Sequence, residues 1–269
     1  MGSVTVEGRS LYYEEQGEGT PLVFLSGLGG DTRAFGVSLR HFAPSYRAMA
    51  LDARDVGRSD RMPAGSSYTS ADLADDAAAW LAAVGAGPAH VVGHSLGGLV
   101  AQELAIRHPG RVRSLVLAST HAGSNPWRKA VLASWVELRR TATPAEFTRG
   151  TLPWLVGPSF YELPQQVDGL IRFAERNEWH QDPAAFTRQA RVAADHDARG
   201  RLGSIRVPTL VISGERDIVN PPPVALALAG EIAGSRVAIL PDVGHLPHIE
   251  AGPRFRSEIA GFLAEFPEV

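Results

Sequence analysis

Six short apolar runs, each closed by turn residues and separated by stretches with helical spacing, constrain this 269-residue chain more than any other feature. They are PLVFLSG at 21–27, YRAMALD at 46–52, HVVGHS at 90–95, SLVLAST at 114–120, PTLVISGE at 208–215 and SRVAILPD at 235–242. Such runs read as strands buried on both faces. Between them lie SADLADDAAAWLAAVG, with Ser70 as the expected N-cap, GGLVAQELAIRHPG from Gly97, PPVALALAGEIAG from Pro222 and PRFRSEIAGFLAEF from Pro253. Strand followed by helix, repeated, gives a mostly parallel sheet with helices on both faces. The opening VTVEGRSLYYEEQ, with a turn at 7–9, adds an antiparallel hairpin at one edge and brings the strand count to eight.

The alternation fails between about His121 and Leu202, where helix-like segments follow one another without a strand. The expected organisation is therefore an α/β core at 1–120 and 203–269, with a helical cap at 121–202 inserted after the sixth strand. The insert carries four of the five tryptophans, Trp127, Trp135, Trp154 and Trp179, with Phe160, Tyr161, Phe173 and Phe186. Placed over the strand ends, where open α/β sheets bind ligands, it would roof a pocket.

One serine stands at a strand-to-helix junction. In VVGHSLGGLVAQ, at 91–102, Ser95 ends an apolar strand and opens a helix in the pattern Gly-x-Ser-x-Gly. A turn this tight strains its central residue, and small neighbours at Gly93 and Gly97 remove clashes with strand and helix. In a chain with 28 glycines the five residues alone say little; the strand before, the helix after and Gly98 supply the context the motif requires. The first N–H groups of the following helix favour the negative charge that an attacked carbonyl develops.

A serine hydroxyl needs a base, and the base needs an orienting carboxylate. Of nine histidines, His245 in LPDVGHLPHIEAGPRF sits in a Gly-His turn just behind an apolar strand, whereas His248 starts or caps the next helical segment. In SGERDIVNPP, Asp217 lies farther into the loop than its rival Glu215, for which surface or loop-stabilising contacts are expected. His94, beside the serine, reads as a buried packing residue. The order Ser95, Asp217, His245 is that of nucleophile, acid and base in one fold.

With that order and the serine turn, the chain resembles an α/β-hydrolase, through PLVFLSGLGGDTRAF, LDARDVGRSD, VVGHSLGG, PTLVISGERD and GHLPHIE. The resemblance implies a serine hydrolase acting through an acyl-enzyme, with the backbone N–H groups of Leu28 and Leu96 as an oxyanion hole. It departs from the His-Gly of many relatives by carrying Ser26 and Gly27, and in its Ser-Gly-Leu-Gly it is similar to oxoadipate enol-lactonases. The Arg-Asp-x-Gly-Arg-Ser stretch at 54–59 is shared with small-ester and methylesterase relatives. There Arg54 and Asp55 are expected to hydrogen-bond loop backbone and Gly57 to make a turn. A serine at the elbow argues against haloalkane and epoxide hydrolysis, whose members carry aspartate there.

Composition narrows the rest. A net charge of −3 and a pI near 6.3 offer no basic surface for nucleic acid, and no apolar stretch approaches the roughly 20 residues of a bilayer span. With no cysteine, disulfides and thiolate chemistry are excluded. MGSVTVEGRS lacks a basic segment followed by an apolar core, so no secretory signal is expected and the cytoplasm is the default location. No metal or cofactor is required. The expected substrate is a small carboxylic ester or lactone, with Trp127, Trp154, Phe160 and His121 as candidate contacts, against the alternative that such aromatics form the core of the cap. Arg128, Arg149, Arg172, Arg176 and Arg188 are candidates for a carboxylate clamp, against the default that they are solvated surface arginines. The same three core residues would equally serve a C–C hydrolase of diketones, a cofactor-free perhydrolase or a biosynthetic tailoring enzyme, and a hydrolase-fold receptor would use the pocket without turnover.

Overall fold

A computed structural model describes residues 1–266. Its eight strands are β1 (Gly2–Val6), β2 (Arg9–Gln16), β3 (Pro21–Leu25), β4 (Arg47–Leu51), β5 (Ala89–His94), β6 (Val112–Ala118), β7 (Thr209–Gly214) and β8 (Arg236–Leu240). They form one sheet in the order β1-β2-β4-β3-β5-β6-β7-β8, in which β2 runs antiparallel to both its neighbours and every other pair is parallel. The expected eight-stranded, mostly parallel sheet is thus present. The β1–β2 turn places both Glu7 (φ 47°) and Gly8 (φ 80°) in the left-handed region, as a tight hairpin demands.

Strand periodicity explains why the runs are apolar throughout. Leu22 and Phe24 point to one face with Val92, Val116 and Ile212, where they meet Leu39 of α1 (Gly36–Phe42) and Phe255 of α10 (Gly252–Leu263). Val23 and Leu25 point to the other face with Val91, Leu115 and Leu117. Against that face lie α2 (Ser70–Ala83), α3 (Leu96–Arg107) and α8 (Pro222–Gly230). Strands β3 to β8 therefore each feed two cores. Ser70 is not the N-cap of α2. Thr69 is, because its hydroxyl accepts from Asp72 N while the Asp72 carboxylate accepts from Thr69 N, a reciprocal pair that Ser70 is one residue too late to make.

Between β6 and β7 run α4 (Pro126–Thr141), α5 (Pro144–Leu155), α6 (Pro164–Glu175) and α7 (Pro183–Asp195). The two ends of this insert are tied together where Gly123 pairs with Asp197 and Ala198 N donates to Ala122 O at 2.7 Å. Helix α7 fastens it to the core: Arg188 makes two hydrogen bonds to the buried carboxylate of Asp55, and Gln189 Oε1 accepts from Gly29 N at 3.2 Å. A single-turn helix, α9 (Pro247–Glu250), precedes α10.

Candidate active site

The sheet's strand order reverses between β3 and β5, and the loops leaving these two strands form one side of the site, as expected at such a switch point. Ser95 joins β5 to α3 with φ 52° and ψ −115°, a conformation that costs a non-glycine residue about 1–3 kcal/mol. The turn is held by Ser95 N donating to Ala118 O and by Ser95 O accepting from Gly98 N and from the Thr120 hydroxyl. Close approach explains its glycines. A Cβ on Gly97 would lie 2.1 Å from Leu25 O, and one on Gly93 would lie 2.4 Å from Gly97 O.

The structure brings Ser95, His245 and Asp217 together. His245 Nε2 lies 3.0 Å from Ser95 Oγ, and His245 Nδ1 lies 2.8 Å from Asp217 Oδ2. A carboxylate only accepts, so Nδ1 carries the proton and Nε2 is free to accept from the serine hydroxyl. The other carboxylate oxygen, Asp217 Oδ1, accepts from Val219 N at 2.9 Å and Asn220 N at 2.8 Å, which fixes the plane of the group. Asn220 is anchored in turn, donating to Ser119 O and accepting from Arg128 Nε. Asp217 and His245 are buried, while Ser95 is half-buried. An imidazole so placed can take the hydroxyl proton, and a buried carboxylate can stabilise the imidazolium that results.

Leu96 is the first residue of α3, so its N–H is one that helix geometry leaves without an internal acceptor. Leu28 lies in the loop after β3, where Gly30 N donates to Gly27 O and the Ser26 hydroxyl donates to Asp31 O at 3.1 Å. Both Leu28 and Ser95 border a cavity of about 200 Å³. Its walls come from Trp135 of α4, Phe147, Thr151 and Leu155 of α5, and Phe186 of α7. Among the described residues bordering it there is no arginine, lysine or carboxylate. A larger cleft of about 610 Å³ opens between the start of α2 and the end of α7, away from the serine. There charges neutralise one another, as in Arg201 with Glu103 and Arg191 with Asp195.

Two other histidines approach the site. His94 donates from Nε2 to the backbone oxygen of His245 at 2.8 Å, and burial holds its imidazole well below the usual range, hence neutral. His248, in α9 as expected, lies edge-on to His94 and tilted against Phe35, and burial lowers it to about 3. Neither reaches Ser95 as a base. Glu215 accepts from Asp242 N at the surface, a loop contact of the kind expected of it.

The residues expected to contact substrate lie away from this cavity. Trp127 and Trp154 pair with each other on the outside of the insert, 46% and 36% exposed. Phe160 packs with Leu152 and Val156 in a separate small core, and His121 is buried beside His196. None of the four borders the cavity, because the helix faces turned toward it carry other residues. Phe147, Thr151 and Leu155, spaced four apart along α5, form one face that sequence spacing alone would have marked. The arginine candidates are likewise placed elsewhere: Arg128 braces Asn220, Arg188 pairs with Asp55, and Arg149, Arg172 and Arg176 are exposed. As expected, Asp55 accepts from loop backbone, at 2.8 Å from Met62 N, but both residues also meet side chains. Arg54 pairs with Asp76 at 2.6 Å and Asp55 with Arg188 and Tyr68, because α2 and α7 both pack on this loop. Gly57 has φ 53° and abuts Asp52, as a turn there requires.

Residues 20–252 match the family described as alpha/beta hydrolase fold. The 2-hydroxymuconate semialdehyde hydrolase of Pseudomonas sp. (strain CF600) is 33% identical over 263 residues, covering 93% of this chain and 89% of that protein. Among solved structures, the enol-lactonase from Burkholderia xenovorans LB400 superposes with a TM-score of 0.86 at 26% identity, over 98% of this chain and 100% of that one. A thermophilic esterase from Thermogutta terrifontis superposes with a TM-score of 0.85 at 26% identity, over 98% of this chain and 96% of that one. No helix among the described residues is long and apolar enough to cross a membrane.

Proposed function

Because this chain belongs to the alpha/beta hydrolase fold family and is an enzyme of that family, we propose that it hydrolyses an uncharged carboxylic ester or lactone with a short apolar acyl group. The observation that carries this reading is a serine hydroxyl 3.0 Å from an imidazole that is itself 2.8 Å from a buried carboxylate, opening on a charge-free cavity. Ser95 attacks the carbonyl as His245 Nε2 takes its proton, and Asp217 stabilises the imidazolium through Nδ1–H. The N–H groups of Leu28 and Leu96 receive the oxyanion, each donor worth about 2.7–4 kcal/mol in comparable sites. His245 then returns the proton to the leaving oxygen, and water activated by the same nitrogen releases the acid.

A cavity below the roughly 300 Å³ at which drug-sized pockets begin favours a short acyl group. The second reading, C–C bond hydrolysis, has the support of the 33% identical Pseudomonas relative, whose named substrate, a hydroxymuconate semialdehyde, keeps one carboxylate. Against it stands a cavity without a cation to pair with that group.

Turnover of p-nitrophenyl esters from acetate to octanoate, compared with Ser95→Ala, tests the proposal. Preference for the shorter esters and a loss of at least 10³-fold in Ser95→Ala are expected. Absence of serine-dependent turnover on every ester and lactone refutes it, and cleavage of a vinylogous diketone alone would establish the C–C reading instead.

A further inference from the structure

Glu250, at the end of α9, makes an arrangement that the reaction as proposed does not use. Its Oε2 accepts from Gly157 N at 2.7 Å and from Gly244 N at 2.9 Å, and its Oε1 accepts from Leu246 N at 3.0 Å. Gly244 and Leu246 flank His245. The remaining amide of the three, His245 N, donates to Leu155 O of the insert at 2.9 Å. The carbonyl of His245 accepts from His94 Nε2. The histidine loop is therefore held through every amide from 244 to 246, two on one carboxylate and one on the insert.

The contact is also sterically tight. A Cβ on Gly244 would lie 2.5 Å from Gly157 N and 2.8 Å from Val156 Cα, so the backbone at 156–157 presses directly on the histidine loop. No cation pairs with Glu250 among the described residues; its charge is balanced by the three N–H donors. Burial is the largest influence on this carboxyl and pushes it up, against the opposing pull of those donors. A surface glutamate at a helix end would not be desolvated in this way.

We propose that Glu250 is a positioning residue that fixes the His245 imidazole between Ser95 and Asp217, and that couples this geometry to the helical insert through Gly157. The inference rests on the role proposed for His245. A glutamine at 250 has the same shape but one acceptor oxygen, and its NH2 would face an N–H donor, so at least one of the three bonds is lost. Misplacement of a reacting group by about 1 Å costs on the order of 10²-fold in rate.

The test compares wild type, Glu250→Gln and Glu250→Asp, the last keeping both acceptor oxygens one methylene short. Two readings are made: kcat and KM on p-nitrophenyl butyrate, with active sites counted by a serine-reactive phosphonate, and the low-field proton resonance of the His245 Nδ1–H hydrogen bond. Expected for Glu250→Gln are a kcat lower by about 10²-fold with KM within threefold, and a shifted or exchange-broadened resonance. Glu250→Asp should recover part of kcat. An unchanged kcat per titrated site together with an unchanged resonance, even with a lowered Tm, overturns the proposal. The resonance decides whether or not the ester is turned over, so failure of the hydrolase reading, seen as activity indifferent to Ser95→Ala, is distinguishable. If Glu250→Gln does not fold, Glu250→Asp carries the same test with a tenfold fall in kcat required.

Discussion

Replacing Asp217 by asparagine should abolish turnover by changing which nitrogen of His245 carries the proton. The structure dictates how the amide sits. Oδ1 of Asp217 receives two N–H donors, from Val219 and Asn220, so the amide oxygen must take that place. The opposite orientation would set an NH2 against both and leave buried donors unpaired, at about 1–3 kcal/mol each. The amide NH2 therefore faces His245 Nδ1, which must accept, and the ring proton moves to Nε2, directed at Ser95 Oγ. A serine cannot give its proton to a nitrogen that already holds one. In a serine protease the same change lowers kcat about 10⁴-fold, which at about 1.4 kcal/mol per decade is roughly 5.5 kcal/mol of transition-state stabilisation. The assay is steady-state hydrolysis of p-nitrophenyl butyrate beside a thermal melt, with KM expected to stay within threefold. A folded Asp217→Asn protein that keeps more than about 1% of wild-type kcat would refute the tautomer argument.

Acid should unfold this protein through its buried histidines. His94 and His121 are held well below the usual range, His196 falls to about 4 and His248 to about 3, each chiefly by burial. A depressed folded-state pKa contributes stability above the unfolded value near 6.5 that is lost as pH falls toward the folded value. All four act in the same direction as the pH falls below about 6.5. Asp52, raised to about 6 by burial, and Glu250, also raised, act in the opposite direction because they gain protons in the folded state. The histidines outnumber them, so the urea midpoint should drop sharply from pH 7 to pH 5; a midpoint that holds or rises contradicts this account. At the cavity, Phe147→Ala removes a ring that meets Phe186 edge-on at 5.1 Å. If each newly buried acyl methylene contributes about 0.8 kcal/mol, the hexanoate-to-butyrate ratio of kcat/KM rises by up to about 15-fold. An unchanged ratio in a folded variant would mean that Phe147 does not bound the acyl group.

What the sequence discloses and what it conceals divide along the distance over which each interaction acts. The serine turn is local: strand, Gly93, Ser95, Gly97 and helix stand within a few residues, and sterics alone require that pattern. The starts of the insert helices are equally local. Pro126, Pro144 and Pro183 each open a helix behind Asn125, Thr143 or Asp182, whose side chains accept from the first-turn amides. Asp55 shows the other case. Its charge reads as loop chemistry until Arg188, 133 positions on, arrives from α7. Gln189 and Gly29 are 160 positions apart, and an acceptor that waits so far away leaves no mark beside its donor. The same reasoning applies to the tryptophans of the insert. Trp127, Trp135 and Trp154 are chemically identical, and only the packing of α4 against α5 and α7 turns Trp135 inward, 8% exposed, while leaving the other two outside. The shape of the cavity therefore belongs to the docking of the insert. That docking is held by Arg188, Gln189 and Glu250, none of which borders the cavity whose walls the insert supplies.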